Sequence, residues 1–324
     1  CWLPDVFGYN GNLPQILKKS DIPYFMTIKL SWNEHNKFPY RSFLWEGIDD
    51  SRVLVHMPPD DSYNSCGSPA CAKHAYANYP EREITHAALV VYGVGDGGGG
   101  PGEAHNEFVK RQKTLRASPR MITGKASDFF KQLSAFREKL PVYKGELYLE
   151  KHQGTYTTQG RNKRLNRLAE YALQDMEALC AMAYLQGMEY PQEAIDRWWK
   201  EILLYQFHDI IPGSAITRVY DESRERYRLI LSQIAEKRKE VLRLLCGKGE
   251  KVIAFNPTSF ARSERTPAGL FSAAPYGFAF AQTGDESSLL KADDDTLTNG
   301  ILTVHFNADG EILSLKDADG TEYA

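Results

Sequence analysis

Between residues 160 and 246 the sequence carries three long stretches whose apolar residues recur at helical spacing: RLNRLAEYALQDMEALCAMAYL, PQEAIDRWWKEILLYQF and ITRVYDESRERYRLILSQIAEKRKEVLRLL. Each has one apolar stripe and one charged face, so an isolated copy is marginal and the three must bury their stripes against one another. A three-helix bundle is the expectation. Pro191 suits the first turn of the second helix, where its missing amide hydrogen has no partner to lose. HDIIPGS at 208–214 separates the second helix from the third, and Gly247 after Cys246 is a natural C-cap.

The flanks have a different texture. From residue 1 to about 145, short apolar runs alternate with amphipathic stretches, the pattern of an α/β layer with parallel strands. Leu13–Lys19 reads as a helix, and 23–29, 51–57 and 87–92 read as strands. DFFKQLSAFREKL reads as a helix with Ser127 as N-cap and Pro141 as its end. After Gly249 the helical period gives way to the strand-turn units KVIAFNP, GILTVHFNADG and EILSLKDADG, the start of an antiparallel domain. The fold class expected is therefore α/β and multidomain, with an α/β domain over 1–145, a bundle over 146–248 and a β domain over 249–324. The chain enters at CWLPDVFGYN with no leader-like segment and stops just after a hairpin-like pattern, so both outer domains are expected to be truncated.

Charge and cysteine usage narrow the function classes. With 39 basic against 42 acidic residues the net charge is -3, and the clusters Arg161–Arg167 and Arg224–Arg228 are interleaved with acids or apolar residues. No basic stripe exists for nucleic acid. No apolar run reaches the roughly eighteen residues of a membrane span. Five scattered cysteines do not make a disulfide framework in a chain of 324 residues, which points to a reducing, cytoplasmic setting. Cys66 and Cys71 lie near His74, but no second pair follows at finger spacing, so the segment reads as a loop with free thiols rather than a zinc site.

Four stretches carry chemistry. In WLPDVFGY, Asp5 sits between a proline and an aromatic-glycine turn, as nucleophile, metal ligand or both, or as a cap for the helix beginning near Asn12. In ALVVYGVGDGGGGPG, Gly93, Gly95 and Gly98 match a dinucleotide fingerprint literally, but Asp96 inside the turn would repel a pyrophosphate, and no Lys-Ser/Thr follows to make a P-loop. Glycines around one acid let backbone approach a ligand while aiming a single carboxyl at it, so Asp96 reads as a general acid. In QFHDIIPGS, His208 is either a helix-end cap or a metal ligand, with Asp209 beside it to hold hydroxyls. In GELYLEKHQGTYTT, Glu146, Glu150, His152 and Tyr156 suit a pocket wall or a plain edge strand equally well.

Taken in order, LPDVFGY, KLSWNEHNKFP, HMPP, GVGDGGGGP, GELYLEKHQGTYTT and QFHDIIPGS resemble glycoside hydrolase family 38, over roughly residues 1–260. The resemblance implies an α/β barrel-like catalytic domain, a three-helix bundle that completes the active site and a C-terminal β-sandwich region. It implies a zinc-dependent retaining α-mannosidase, with zinc or a similar divalent cation as cofactor and an α-mannoside or oligosaccharide as substrate. By that resemblance Asp5 is covalent nucleophile and metal ligand, His208 a second ligand, Asp96 the acid/base, and Phe7, Lys29, Tyr63 and Asp209 contact the sugar. The family's upstream His-x-Asp pair of ligands has no counterpart here. A mannosylglycerate hydrolase of the same family and a non-catalytic sugar-binding relic are the alternatives. No nucleic acid or membrane partner is expected, and a homo-oligomer is left open.

Overall fold

The computed structural model describes residues 1–282 and 290–324. They form two compact units, Cys1–Tyr156 and Thr157–Ala324.

In the first unit the elements run α1 (Leu13–Lys19), β1 (Tyr24–Met26), a 3-10 turn (Lys29–Trp32), β2 (Ser42–Glu46), β3 (Arg52–His56), α2 (Pro69–Ala77), α3 (Arg82–Thr85), α4 (Glu103–Arg111), α5 (Ala126–Ser134) and β4 (Val142–Lys144). The sheet order is β1-β3-β2-β4. β1 and β4 run parallel to their neighbours, but β2 and β3 are antiparallel, with Leu44 opposite Leu54. The expected all-parallel layer is thus mixed. Five residues, 47–51, are enough for a hairpin return and far too few for a parallel crossover.

β2 is buried along its whole length, and successive side chains feed opposite faces. Phe43, Trp45, Val53 and Val55 join Tyr9, Phe25 and Leu147 on one side. Met26, Leu44 and Leu54 pack with Phe130, Leu133 and Leu140 on the other, which places α5 on that face.

Three local expectations change. Residues 87–91 form no strand: the Leu89 amide donates to Nε2 of buried His56 at 3.1 Å, and only Tyr92 bridges, to Ser65. Apolar content alone cannot reveal whether a ladder partner is available. The α5 N-cap is Lys125, with Ser127 inside the first turn, and the helix ends at Ser134, well before Pro141. β1 stops at Met26, because the chain tightens into the 3-10 turn beginning at Lys29. Residues 146–156 pack with this unit, where Tyr9 and Leu147 exchange backbone hydrogen bonds of 2.8 and 3.0 Å.

The second unit opens with the three helices read from periodicity, α6 (Gly160–Tyr184), α7 (Gln192–Tyr205) and α8 (Thr217–Cys246). Their stripes meet in a core that includes Leu173, Met176, Cys180, Trp198, Ile202, Tyr227 and Ile234. Pro191 is the N-cap of α7, one residue before the first turn, and Gly247 caps α8 at φ 70. The strands β5 (Ile253–Phe255), β6 (Arg262–Thr266), β7 (Gly269–Ala273), β8 (Phe278–Phe280), β9 (Lys291–Ala292), β10 (Thr296–Thr298), β11 (Leu302–Phe306) and β12 (Ile312–Asp317) follow. They pair antiparallel, as β5-β8, β6-β7 and the meander β12-β11-β10-β9. Among the described residues no helix is long and apolar enough to cross a membrane.

Candidate active site

The loop holding Asp5 is pinned at both ends. Leu3 donates to Met26 O at 2.9 Å and runs alongside β1, while Tyr9 pairs with Leu147. The Tyr9 hydroxyl ties the two ends together, bonding Leu3 O at 2.8 Å and Thr27 Oγ1 at 2.6 Å. Asn12, not Asp5, is the N-cap of α1. Asp5 is left half exposed at the end of the extended segment, where its Oδ1 meets Lys29 Nζ at 2.7 Å.

Lys29 is the buried partner in that pair, with only 4% of its side chain exposed. Its ammonium lies 3.5 Å from the centroid of the Trp32 ring, 5.0 Å from Tyr63 and 5.5 Å from Phe7. Three ring faces and one carboxylate replace water around the charge. Trp32 was not singled out from sequence. The signal lay in its spacing from Lys29, since residues three apart eclipse in a 3-10 turn.

Tyr63 links Lys29 and Asp5 to the glycine-rich segment. Its hydroxyl donates to Asp96 Oδ1 at 3.2 Å. Burial first, then the charge of Asp5 and the bond to Asp96, push the phenol up to about 12, so it stays protonated and a donor. Asp96 is exposed at the tip of a tight hairpin in which Val94 and Gly100 exchange backbone bonds of 2.9 and 2.8 Å. Two glycines make that hairpin fit. A Cβ on Gly95 would stand 3.2 Å from the Tyr63 ring, and one on Gly93, at φ 111, would stand 2.6 Å from Pro101 N.

In the segment 146–156, Leu147 and Leu149 are buried while Glu146 and Tyr148 are exposed, the alternation of an edge strand. His152 contributes more directly, its ring centroid 4.7 Å from that of Phe7. Glu150 has a structural task. Its carboxylate accepts from the backbone amides of Glu34, His35 and Asn36 at 2.7, 3.0 and 2.6 Å. Those amide bonds hold it down at about 2. Asn33 adds a bond to Tyr148 O at 3.0 Å and one from the Glu150 amide at 3.0 Å, so the chain just after Trp32 is fixed to this segment.

His208 and Asp209 belong to the second unit, in the turn after α7. The turn is held by its backbone: Lys163 Nζ donates to Ile211 O at 2.6 Å, and the Tyr220 hydroxyl accepts from the Ala215 amide at 2.8 Å. Just ahead of the turn, Gln206 Nε2 donates to Glu170 Oε1 at 2.6 Å and to Asn166 Oδ1 at 3.2 Å. Both candidate side chains remain exposed, with His208 Nε2 3.8 Å from Asp209 Oδ2. Among the described residues no group of three or more His, Cys, Asp or Glu side chains gathers as a metal site. Asp5 in the first unit offers a carboxylate and His208 in the second an imidazole, each a donor type that zinc accepts.

Residues 1–146 match the glycosyl hydrolases family 38 N-terminal domain, and residues 150–245 match the alpha mannosidase middle domain. The chain belongs to glycoside hydrolase family 38. Its relatives in that family include alpha-mannosidase 2C1 of Mus musculus, 34% identical over 345 residues that cover 97% of this chain and 33% of the relative. Alpha-mannosidase 2C1 of Homo sapiens is 41% identical, covering 71% of this chain and 22% of its own length. Alpha-mannosidase G of Dictyostelium discoideum is 40% identical, covering 71% and 21%. The chain thus spans about a fifth to a third of the curated relatives it matches. The crystal structure of an alpha-mannosidase from Enterococcus faecalis V583 shares the fold, with a TM-score of 0.64 at 18% identity over 99% of this chain and 48% of that one. The mixed α/β, multidomain architecture is therefore that of a family 38 protein.

Proposed function

We propose that this chain carries the nucleophile and the acid/base of a retaining α-mannosidase, which hydrolyses α-mannosidic bonds in mannosides and oligosaccharides through a covalent mannosyl-enzyme. The observation that carries this reading is the position of Tyr63, which donates to Asp96 and stands close enough to Asp5 for that carboxylate to raise its pKa. A phenol that bonds one carboxyl and lies in the field of the other supports placing both in one site, as a glycosidase working with two carboxyl groups requires.

In the first step Asp5 attacks the anomeric carbon with its outer oxygen, while Asp96 gives its proton to the departing glycosidic oxygen. In the second, Asp96 takes a proton from water, which attacks the same carbon and releases Asp5. Lys29 holds Oδ1 of Asp5 at 2.7 Å and so orients the nucleophile, leaving its other oxygen to attack. Phe7, Trp32 and Tyr63 offer apolar faces to the sugar ring. Asp209 is assigned to sugar hydroxyls, and Asp5 and His208 as the two donors this chain offers to zinc or a similar divalent cation. Lys29 is committed to Asp5 and to aromatic faces, so by itself it does not single out an anionic aglycone such as that of mannosylglycerate. The unbridged cysteines support a reducing, cytoplasmic setting.

The test is to incubate the full-length protein with an activated fluoro-mannoside that traps the glycosyl-enzyme, then locate the adduct by peptide mass spectrometry. A label on Asp5 is expected. A label on another carboxylate, or none on folded protein that turns over mannoside, would overturn the assignment.

A further inference from the structure

The segment leading into α2 holds two thiols for which the proposed hydrolysis has no use. Cys66 Sγ and Cys71 Sγ lie 3.0 Å apart, and both are free. A disulfide bond measures about 2.0 Å, so closing this pair asks for roughly 1 Å of sulfur movement, within reach of small side-chain rotations. Cys66 is exposed and Cys71 partly so, which leaves the pair open to small reagents.

The surroundings favour a thiolate on Cys71. Ser68 is the N-cap of α2, a nine-residue helix, and Cys71 stands in its first turn, where the helix dipole favours negative charge. The Ser68 hydroxyl lies 3.4 Å from Cys71 Sγ and 3.2 Å from Cys66 Sγ. Burial pushes the Cys71 thiol up, but hydrogen bonds from Ser68, Cys66 and Ser65 outweigh it and bring the group to about 7. The neighbouring backbone is fixed: the Ser65 amide donates to Val91 O at 3.0 Å, and Ser65 O accepts from the Gly93 amide at 3.0 Å. The remaining 1 Å is thus left to the side chains, with Ser65 beside them held by its backbone. A metal site is disfavoured, since Nε2 of nearby His74 is 3.4 Å from Asp61 Oδ2 and no third donor joins the two sulfurs among the described residues.

We propose that Cys66 and Cys71 form a redox-reactive dithiol that small-molecule disulfides of the glutathione type convert to an intrachain disulfide. The Cys71 thiolate attacks one sulfur of the small disulfide, forming a mixed disulfide and expelling one small thiolate. Cys66, its proton lost to solvent, then attacks Cys71 Sγ and expels the second. Two electrons pass from the protein to the small disulfide, and the two released thiolates take up the two protons as small thiols. This is independent of the mannosidase reading, because the readout is thiol chemistry alone.

The test exposes the full-length protein to glutathione disulfide at graded ratios of reduced glutathione, blocks remaining thiols with iodoacetamide and digests with trypsin. Residues 53–73 leave as one peptide that carries both cysteines. The expected result is concerted loss of both alkyl groups and a peptide lighter by two hydrogens, at ratios where Cys246 is still alkylated. Persistent double alkylation, or a lasting glutathione adduct on each cysteine, would overturn the proposal. With Cys66→Ser, glutathione should remain on Cys71, and its absence would remove Cys71 as the attacking thiol. Ser68→Ala should slow the reaction at pH 7 several-fold while leaving the same end product; an unchanged rate would refute the activating role of the hydroxyl.

Discussion

The ammonium of Lys29 lies 2.7 Å from Oδ1 of Asp5, almost wholly shielded from solvent by the rings of Trp32, Tyr63 and Phe7. A shielded charge acts on its neighbour far more strongly than one in water. Replacing Lys29 with Met should lower kcat on an aryl α-mannoside by about a hundredfold, the scale of losing one preorganised electrostatic contact. KM should change much less. A variant that folds and keeps its kcat would show that the pair is structural only.

Gly95 faces Tyr63 so closely that a methyl group would sit 3.2 Å from the ring. Gly95→Ala should displace the hairpin tip by a few tenths of an ångström and weaken the Tyr63–Asp96 bond. Turnover is expected to fall about tenfold with the fold retained, since catalytic geometry tolerates little misplacement. Gly93→Ala should be worse, because a positive φ and a 2.6 Å collision with backbone coincide there. Circular dichroism beside kinetics separates the two effects.

Glu150 accepts three consecutive backbone amides, and those bonds hold its carboxyl at about 2. A carboxyl lowered on folding stabilises the native state above its ordinary value near 4.5, and that contribution is lost as pH falls through 2. Amide exchange at 34–36 should therefore lose protection in this window, before the sheet does. Glu150→Ala should expose the same amides at neutral pH. Protection unchanged in the variant would mean that other contacts hold the loop.

His56 is fully buried between Ser42 Oγ, 2.8 Å from Nδ1, and the Leu89 amide, 3.1 Å from Nε2. Burial drives the imidazole down from 6.5 to about 3, so it is neutral in the folded state. The unfolded chain takes up a proton below pH 6.5 that the native state refuses, so stability is lost as pH falls from 6.5 toward 3. The slope approaches about 1.4 kcal/mol per pH unit for one proton. Urea midpoints of wild type and His56→Gln between pH 7 and 4 should converge by that amount; parallel curves would exclude this role.

His208 is held exposed by a turn whose backbone is tied to Lys163 and Tyr220. His208→Ala should leave bundle stability within about 0.5 kcal/mol, as for an exposed side chain. Zinc content and turnover of the full-length protein should both fall. If metal content and turnover stay at wild-type values, the ligand role is excluded.

The bundle was legible in the sequence because helical periodicity is local: Leu173, Met176, Cys180, Trp198, Ile202 and Ile234 fall on stripes that can only be buried against each other. Asp5, Asp96 and His208 were legible as candidates because each sits in a distinctive Pro- or Gly-bearing motif. The rest depended on contacts between distant residues. Trp32 shows no motif of its own, and the sequence leaves Glu150 equally a wall or an edge-strand residue, whereas its partners are the amides of Glu34, His35 and Asn36, more than a hundred positions away. Residues 87–91 have the composition of a strand, yet His56 takes the Leu89 amide and no ladder forms. Sequence determined which residues were apolar, turn-forming or ionisable. Tertiary structure decided which of them lost water and which partner replaced it, because desolvation and hydrogen-bond partnership are set by neighbours in space, not along the chain.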